Sequence, residues 1–207
     1  EKVSFIQFYN LRGDDASCLN LNQVQLPQIL GVNANIFDSL GAFSFSNLLQ
    51  DAPSPWLELK KNWGSGLIPA FADQTVIQWG LMKSIGDTLN YLNERGDTIH
   101  LLLVGGLNPS VFQGNILISD STFLANFPSE GGSELMMVDV PFSQEKQVEQ
   151  LLENRWVDLG VEVTLASKRL AAFYSVTNTY LTIFMILGGL GVILGTVGMG
   201  IVLMRNM

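Results

Sequence analysis

The chain has 207 residues, room for one medium domain or two small ones with a real core. Nineteen acidic against eleven basic residues give a formal net charge of −8, which argues against a nucleic-acid partner, because phosphate binding needs clustered Lys and Arg. Cys18 is the only cysteine, so an intramolecular disulfide is excluded, and a lone thiol of this kind reads as packed rather than reactive.

In chain order, residues 3–11 (VSFIQFYNL) have strand composition and end in the turn-prone Gly13-Asp14-Asp15. Residues 20–31 are polar, contain Pro27 and carry no assigned structure. Residues 41–49 alternate Phe43 and Phe45 with small polar residues, the pattern of a half-buried strand. Pro53 and Pro55 mark a break, and residues 56–63 read as one or two helical turns. Residues 67–72 (LIPAFA) read as a strand whose Pro69 favours an edge or strand-end position. Asp73 is placed to cap a short helix reaching Leu81.

Residues 86–93 and 98–105, joined through Arg95-Gly96, form the clearest hairpin. Its second strand sets Ile99, Leu101 and Leu103 on one face, and His100, Leu102 and Val104 on the other. A short strand follows at 115–119, then a helical turn capped by Asp120 or Ser121 and ended by Pro128. Residues 135–140, 143–159 and 161–165 read as strand, helix and strand. The helix carries Val148, Leu151, Leu152 and Trp156 as an apolar stripe, and Gly160 stands where a helix C-terminus favours a left-handed residue. Parallel pairing of the two strands would make a right-handed βαβ unit. The expected fold class is α+β with a mixed sheet and short helices.

From Leu170 to Met204 there is no Asp, Glu, Lys or Arg, so residues 1–169 carry a net charge of −9 and lead into a neutral apolar segment. A bilayer core needs about 20 helical residues, and 181–204 supplies them with only Thr182 and Thr196 as hydroxyl-bearing interruptions. The segment contains six glycines. Each would cost about 1 kcal/mol relative to Ala in a water-exposed helix, whereas in lipid the backbone has no water to turn to and the helix persists. Gly188, Gly191, Gly195 and Gly198 step by three, four and three, forming a helix-packing groove. Within it Gly191-x-x-x-Gly195 is the spacing that lets two helices approach closely. Both readings of the groove, packing on further spans of one protein or a dimer contact, call for helices besides this one. Tyr174 and Tyr180 suit the outer membrane interface and Arg205 the cytoplasmic one. Residues 167–178 contain no Gly or Pro, which predicts a single rod from 167 to 204 of about 57 Å. The expected organisation is an extracytoplasmic domain at 1–166, a stalk helix at 167–179, a transmembrane helix at 180–204 and the start of a cytoplasmic segment at 205–207.

Catalytic constellations are thin. His100 is the only histidine, so a metal cluster or a Ser–His pair has little to build on. Asp14, Asp15, Asp73, Asp87 and Asp97 each stand at a turn or cap, where Asp serves the backbone. No Gly-x-x-x-x-Gly-Lys-Ser/Thr loop occurs. The prediction is therefore no catalytic, cofactor or metal site.

The segment from Asn178 through Gly188-Gly189-Leu190-Gly191, Gly195, Gly198 and Gly200 to Arg205-Asn206 resembles the start of the permease domain of FtsX-like, MacB-type ATP-binding cassette transporters. Two further stretches are similar to that family. One is Arg12-Gly13-Asp14-Asp15-Ala16-Ser17-Cys18-Leu19-Asn20, which resembles a motif of its large multi-span members. The other runs from Ile68-Pro69-Ala70 to Ile85-Gly86-Asp87-Thr88-Leu89 and on to Leu103-Val104-Gly105-Gly106, and resembles its outer-domain pattern. The likeness covers most of the chain, and the glycine-rich span is its most specific part.

The resemblance implies a MacB periplasmic-core-like outer domain and a permease subunit in the inner membrane of a bacterium, with residues 1–179 outside. The chain would be a segment of a longer one that continues beyond Arg205-Asn206 as a basic helix. A separate cytoplasmic ATP-binding cassette ATPase would drive it, and its other partners would be membrane lipid, further spans and an envelope lipoprotein or peptide. Two other classes remain open: a binding or sensory domain anchored in the envelope by its C-terminal span, and a membrane-bound hydrolase using Asp14, Asp15 and His100.

Overall fold

The computed structural model describes residues 3–13 and 26–205, apart from the side chains of 173, 174 and 176–178. The chain divides into two units, Glu1–Leu151 and Leu152–Met207.

The first unit is built on a mixed sheet. Its strands are β1 (Ser4–Leu11), β2 (Gln28–Val32), β3 (Phe45–Leu48), β4 (Leu67–Asp73), β5 (Thr88–Leu92), β6 (Thr98–Leu107), β7 (Asn115–Ser119) and β8 (Leu135–Asp139). They lie in the order β3-β6-β4-β7-β2-β1-β8, with β5 also paired to β6. The β2–β7 and β4–β6 pairs are parallel and the others antiparallel.

The central strands bury both faces, and the period-2 alternation of side chains separates two cores. Leu30, Phe71, Leu102, Val104 and Leu117 belong to one core. Ile29, Ala70, Ala72, Leu101, Leu103, Ile116 and Ile118 belong to the other. The first is capped by aromatic rings, with Phe37 stacked on Trp56 at 4.8 Å and Phe43 against Phe112 at 4.8 Å. Phe123 and Phe127 close the second.

Phe37 comes from α1 (Ala34–Leu40), to which the sequence reading assigned nothing. Asn33 caps it by accepting from the Ile36 N–H, and Gly41 ends it at φ +56. The strand expected over 41–49 is shortened to β3, because Phe43 turns to φ +64 and so delivers its ring to the aromatic core. Trp56 lies in a 3₁₀ segment, Pro55–Lys60.

The hairpin at 88–107 forms with Asn90 opposite His100. Pro69 lies in an interior strand rather than at an edge. The structure tolerates it because β7 reaches β4 only at Phe71 and Ala72, so Pro69 pairs with β6 alone. Gly105 and Gly106 lie inside β6. The cap of α2 (Asp120–Asn126) is Ser119, not Asp120 or Ser121. Asp120 stands in the first turn and accepts from the Asn33 side-chain amide at 2.9 Å.

The expected βαβ unit does not form. β8 pairs antiparallel with β1, and residues 161–165 are not a strand. An alternation such as Val161, Val163, Leu165 makes a strand only where it joins a sheet and buries one face, and here Val161 remains 40% exposed. The preceding helix, α3 (Glu145–Trp156), does form, but of its apolar stripe only Leu152 is buried, while Leu151 is 60% exposed. Gly160 adopts the expected left-handed conformation at φ +67. From Ala166 the chain is one helix, α4 (Ala166–Arg205), of 40 residues.

Candidate functional site: the apolar helix and its glycine face

Helix α4 continues through Asn178 without a break, as the absence of Gly and Pro from its lead-in predicts. Hydroxyl side chains along it bond back to the helix, a neutral solution for a polar group in an apolar setting. Thr179 Oγ1 donates to the Ser175 carbonyl at 2.8 Å, and Thr196 Oγ1 donates to the Val192 and Ile193 carbonyls at 3.0 and 2.9 Å. Arg205 places its cation in the last turn, where the helix dipole favours it.

The stretch Thr179–Arg205 has 27 residues, and its most apolar 18-residue window has a mean hydropathy of 2.2 with none of it buried within the chain. By length and composition it can span a membrane. Its flanks are bare: Phe184, Met185, Ile186, Leu194 and Met204 are each more than 60% exposed. So much contiguous apolar surface is unfavourable in water and asks for lipid or other apolar helices around it.

At about 100° per residue, Gly188, Gly191, Gly195 and Gly198 fall within an arc of about 80° and extend about 15 Å along the axis. A Cβ placed on any of the four meets nothing within 4 Å, so the groove is open along its length. Gly189 and Gly200 fall outside the arc. Ile186, Ile193, Val197 and Met204 lie opposite it, interspersed with Gly189 and Gly200, so the two faces differ in how many bulky side chains they carry. Tyr180 stands at the head of the span, 60% exposed, and the side chain of Tyr174 lies outside the described residues.

The polar residues weighed for catalysis are not brought together. Asp73 is fully buried and accepts from Thr75 and Ser110. Asp87 accepts from the Ser84 N–H at 2.8 Å, and Asp97 is tied to Asn93 across the β5–β6 turn. His100 is exposed, with Nδ1 2.8 Å from Asn90 Oδ1. Asp14, Asp15 and Cys18 lie outside the described residues, as does most of the Arg12–Asn20 motif; Arg12 itself pairs with Glu134 at 3.0 Å. Among the described residues no group of three His, Cys, Asp or Glu side chains converges on a common point.

The short helix expected between Asp73 and Leu81 forms, with Asp73 accepting from the Thr75 N–H, and most of it is a π-turn. That turn, Val76–Gly80, borders a cleft lined by Gln74, Gln78 and Lys83. The five-residue repeat of the turn, rather than the helix itself, is what the Asp73 cap did not announce.

No family model matches the chain. No curated protein matches it either.

Proposed function

We propose that the chain is part of the membrane permease subunit of an FtsX/MacB-type ATP-binding cassette transporter, its outer domain MacB periplasmic-core-like. In this reading a partner ATPase on the cytoplasmic side hydrolyses ATP, and this chain neither binds nor hydrolyses it. Closure of the ATPase moves the spans, and α4 carries that movement to the acidic domain outside, in export or in transmission of force to an envelope lipoprotein or peptide.

The observation that carries the reading is the unbroken helix from Ala166 to Arg205. A span used only as an anchor has no need to continue as a stiff rod before it enters lipid. The glycine groove is the second support, since close approach at small residues is how helices pack where hydrophobic contrast with lipid tails is lost. An anchored binding or sensory domain explains the apolar span but leaves the groove unemployed.

Cysteine cross-linking in native membranes of the source cell separates the two readings, with Cys18 replaced by Ser. Gly195→Cys is expected to cross-link to a further membrane helix, with a yield that changes when ATP and vanadate are added. Ile193→Cys, on the opposite face, is expected to cross-link poorly. Equal, nucleotide-insensitive yields at both positions would favour the anchored domain.

A further inference from the structure

The mixed sheet ends on β8, which pairs with β1 alone. In an antiparallel pair, successive residues direct their N–H and C=O groups alternately toward the partner strand and away from it. The outer edge of β8 therefore presents a row of main-chain donors and acceptors, and no further strand or loop backbone meets them among the described residues. Only the Leu135 carbonyl, at the start of the strand, accepts from a side chain, Ser133 Oγ at 3.0 Å.

Proteins usually blunt such an edge with a very short strand, a bulge, a proline or a lysine. At the other end of the sheet β3 uses two of these devices: it has four residues, and its register against β6 shifts after Phe45. β8 uses none. Its five residues, Leu-Met-Met-Val-Asp, keep a regular register with β1 from Phe8↔Leu135 to Ser4↔Asp139.

The two faces of the β1–β8 pair differ. Ile6, Phe8 and Met137 turn to the aromatic core. The register sets Phe5 beside Val138 and Gln7 beside Met136 on the opposite face. Phe5, Met136 and Val138 belong to neither core, and Phe5 is 51% and Met136 44% exposed. An unpaired edge and an uncovered apolar face on one strand fit the same occupant. A further strand would pair its main chain with the edge and extend the face with its alternate side chains.

We propose that the outer edge of β8 takes an extended segment of a partner protein as an added strand, one that alternates apolar and polar residues and carries Lys or Arg where it passes Asp139. Charge selects the cation. No Lys or Arg occurs between Arg95 and Lys146. Glu134, at the start of β8, is paired with Arg12, whereas Asp139, at its end, is exposed and has no ion pair among the described residues. The same charge disfavours a second copy of this chain, since two domains of net charge −9 repel. Met136 supplies an adaptable apolar contact. The proposal does not rest on the transporter reading, because an anchored binding domain would use the same edge.

The test uses the full chain in lipid nanodiscs and three probes. They are acetyl-Val-Thr-Val-Thr-Val-Lys-Lys-amide, the same peptide with Glu for Lys, and the lysine peptide N-methylated on its Val and Thr residues. Calorimetric titration is expected to give saturable binding of the lysine peptide with a Kd of about 100 µM or tighter. The N-methylated peptide keeps the charge and side chains but loses the donors, and should not saturate at about 1 mM. The glutamate peptide should bind about tenfold more weakly. Asp139→Asn, a change at an exposed position, should weaken the lysine peptide about threefold, with the fold verified by near-ultraviolet circular dichroism. Amide hydrogen exchange should slow at residues 134–139 when the lysine peptide binds. Absence of saturation by the lysine peptide, equal binding of its N-methylated form, or protection confined to β3 or β5 would each overturn the proposal. So would protection of residues 134–139 that rises with protein concentration in the absence of peptide, the mark of a second copy on the edge.

Discussion

Asp73 offers the sharpest test of how the outer domain is held together. It is fully buried at the end of β4, and among the described residues no cation pairs with it. Three donors keep it there: the Thr75 N–H at 3.0 Å, the Thr75 hydroxyl at 2.6 Å and the Ser110 N–H at 3.2 Å. The last ties β4 to the loop entering β7, so the carboxylate joins two segments 37 residues apart. Hydrogen bonds to a charged group contribute about 1.5–3 kcal/mol, and a buried donor left unpaired costs about 1–3 kcal/mol. Asp73→Ala removes all three bonds and strands the buried Ser110 N–H, a loss of about 4 kcal/mol once water reaches the exposed Thr75. For a unit of this size that lowers Tm by about 10 °C. Asp73→Asn keeps one acceptor and turns an amide NH₂ toward a donor, so it should cost about half as much. Thr75→Ala, which removes one exposed hydroxyl, should cost about 1 kcal/mol. Thermal unfolding in detergent, followed by the near-ultraviolet signal of the buried Trp56, measures the series. A Tm for Asp73→Ala within about 2 °C of the parent would refute the idea that this carboxylate closes β4.

Other variants probe the backbone. Met82→Gly should stabilise the domain by about 1 kcal/mol, raising Tm by about 2–4 °C, because glycine holds φ +52 without strain and the lost side chain is exposed. A Tm at or below that of the parent would show that Met82 packs more than its exposure suggests. Gly31→Ala and Gly105→Ala both overfill the core, since the new methyl carbon lies 2.8 Å from a neighbour in each case. The first should be worse, by about 1 kcal/mol or more. Gly31 faces the Phe123 Cβ, which is fixed to the α2 backbone, whereas Gly105 faces a ring edge and a leucine methyl that can shift. Equal unfolding midpoints in urea would contradict that distinction.

The sequence was most legible where local chemistry and burial agree. β7 and the β5–β6 hairpin carry runs of Leu, Ile and Val bounded by turn residues, and they form where periodicity places them. Helix α4 was legible for a different reason: nothing in 35 uncharged residues competes with helix in lipid. What stayed hidden depends on tertiary partners. α1 is short and polar on one side, and only its Asn33 and Gly41 caps announce it. Phe43 alternates like a strand residue, yet the aromatic core draws its ring inward by a left-handed turn. Residues 161–165 carry a fair strand pattern but pair with no strand among the described residues. In the candidate site, the glycine groove follows from spacing alone. The cleft beside Lys83 could not be anticipated, because it arises from the approach of β3, the π-turn and Gly106, which are distant in sequence.

Whether α4 works as a lever turns on stiffness between its polar lead-in and its apolar span, and that can be measured directly. With Cys18 replaced by Ser, spin labels at Lys168→Cys and Met185→Cys sit on either side of Asn178, 17 residues apart. A continuous helix sets their backbone separation at about 26 Å, and it should give a single narrow distance distribution in nanodiscs. Ala172→Pro between the labels removes one backbone hydrogen bond and clashes with a preceding carbonyl, at a cost of about 3 kcal/mol. It should shorten or broaden the distribution while leaving the span inserted. If the unsubstituted helix already shows a broad distribution, movement of the span cannot be delivered to the outer domain as rigid motion. The glycine groove would then be a packing surface only, and the anchored-domain reading would gain the ground that the lever loses.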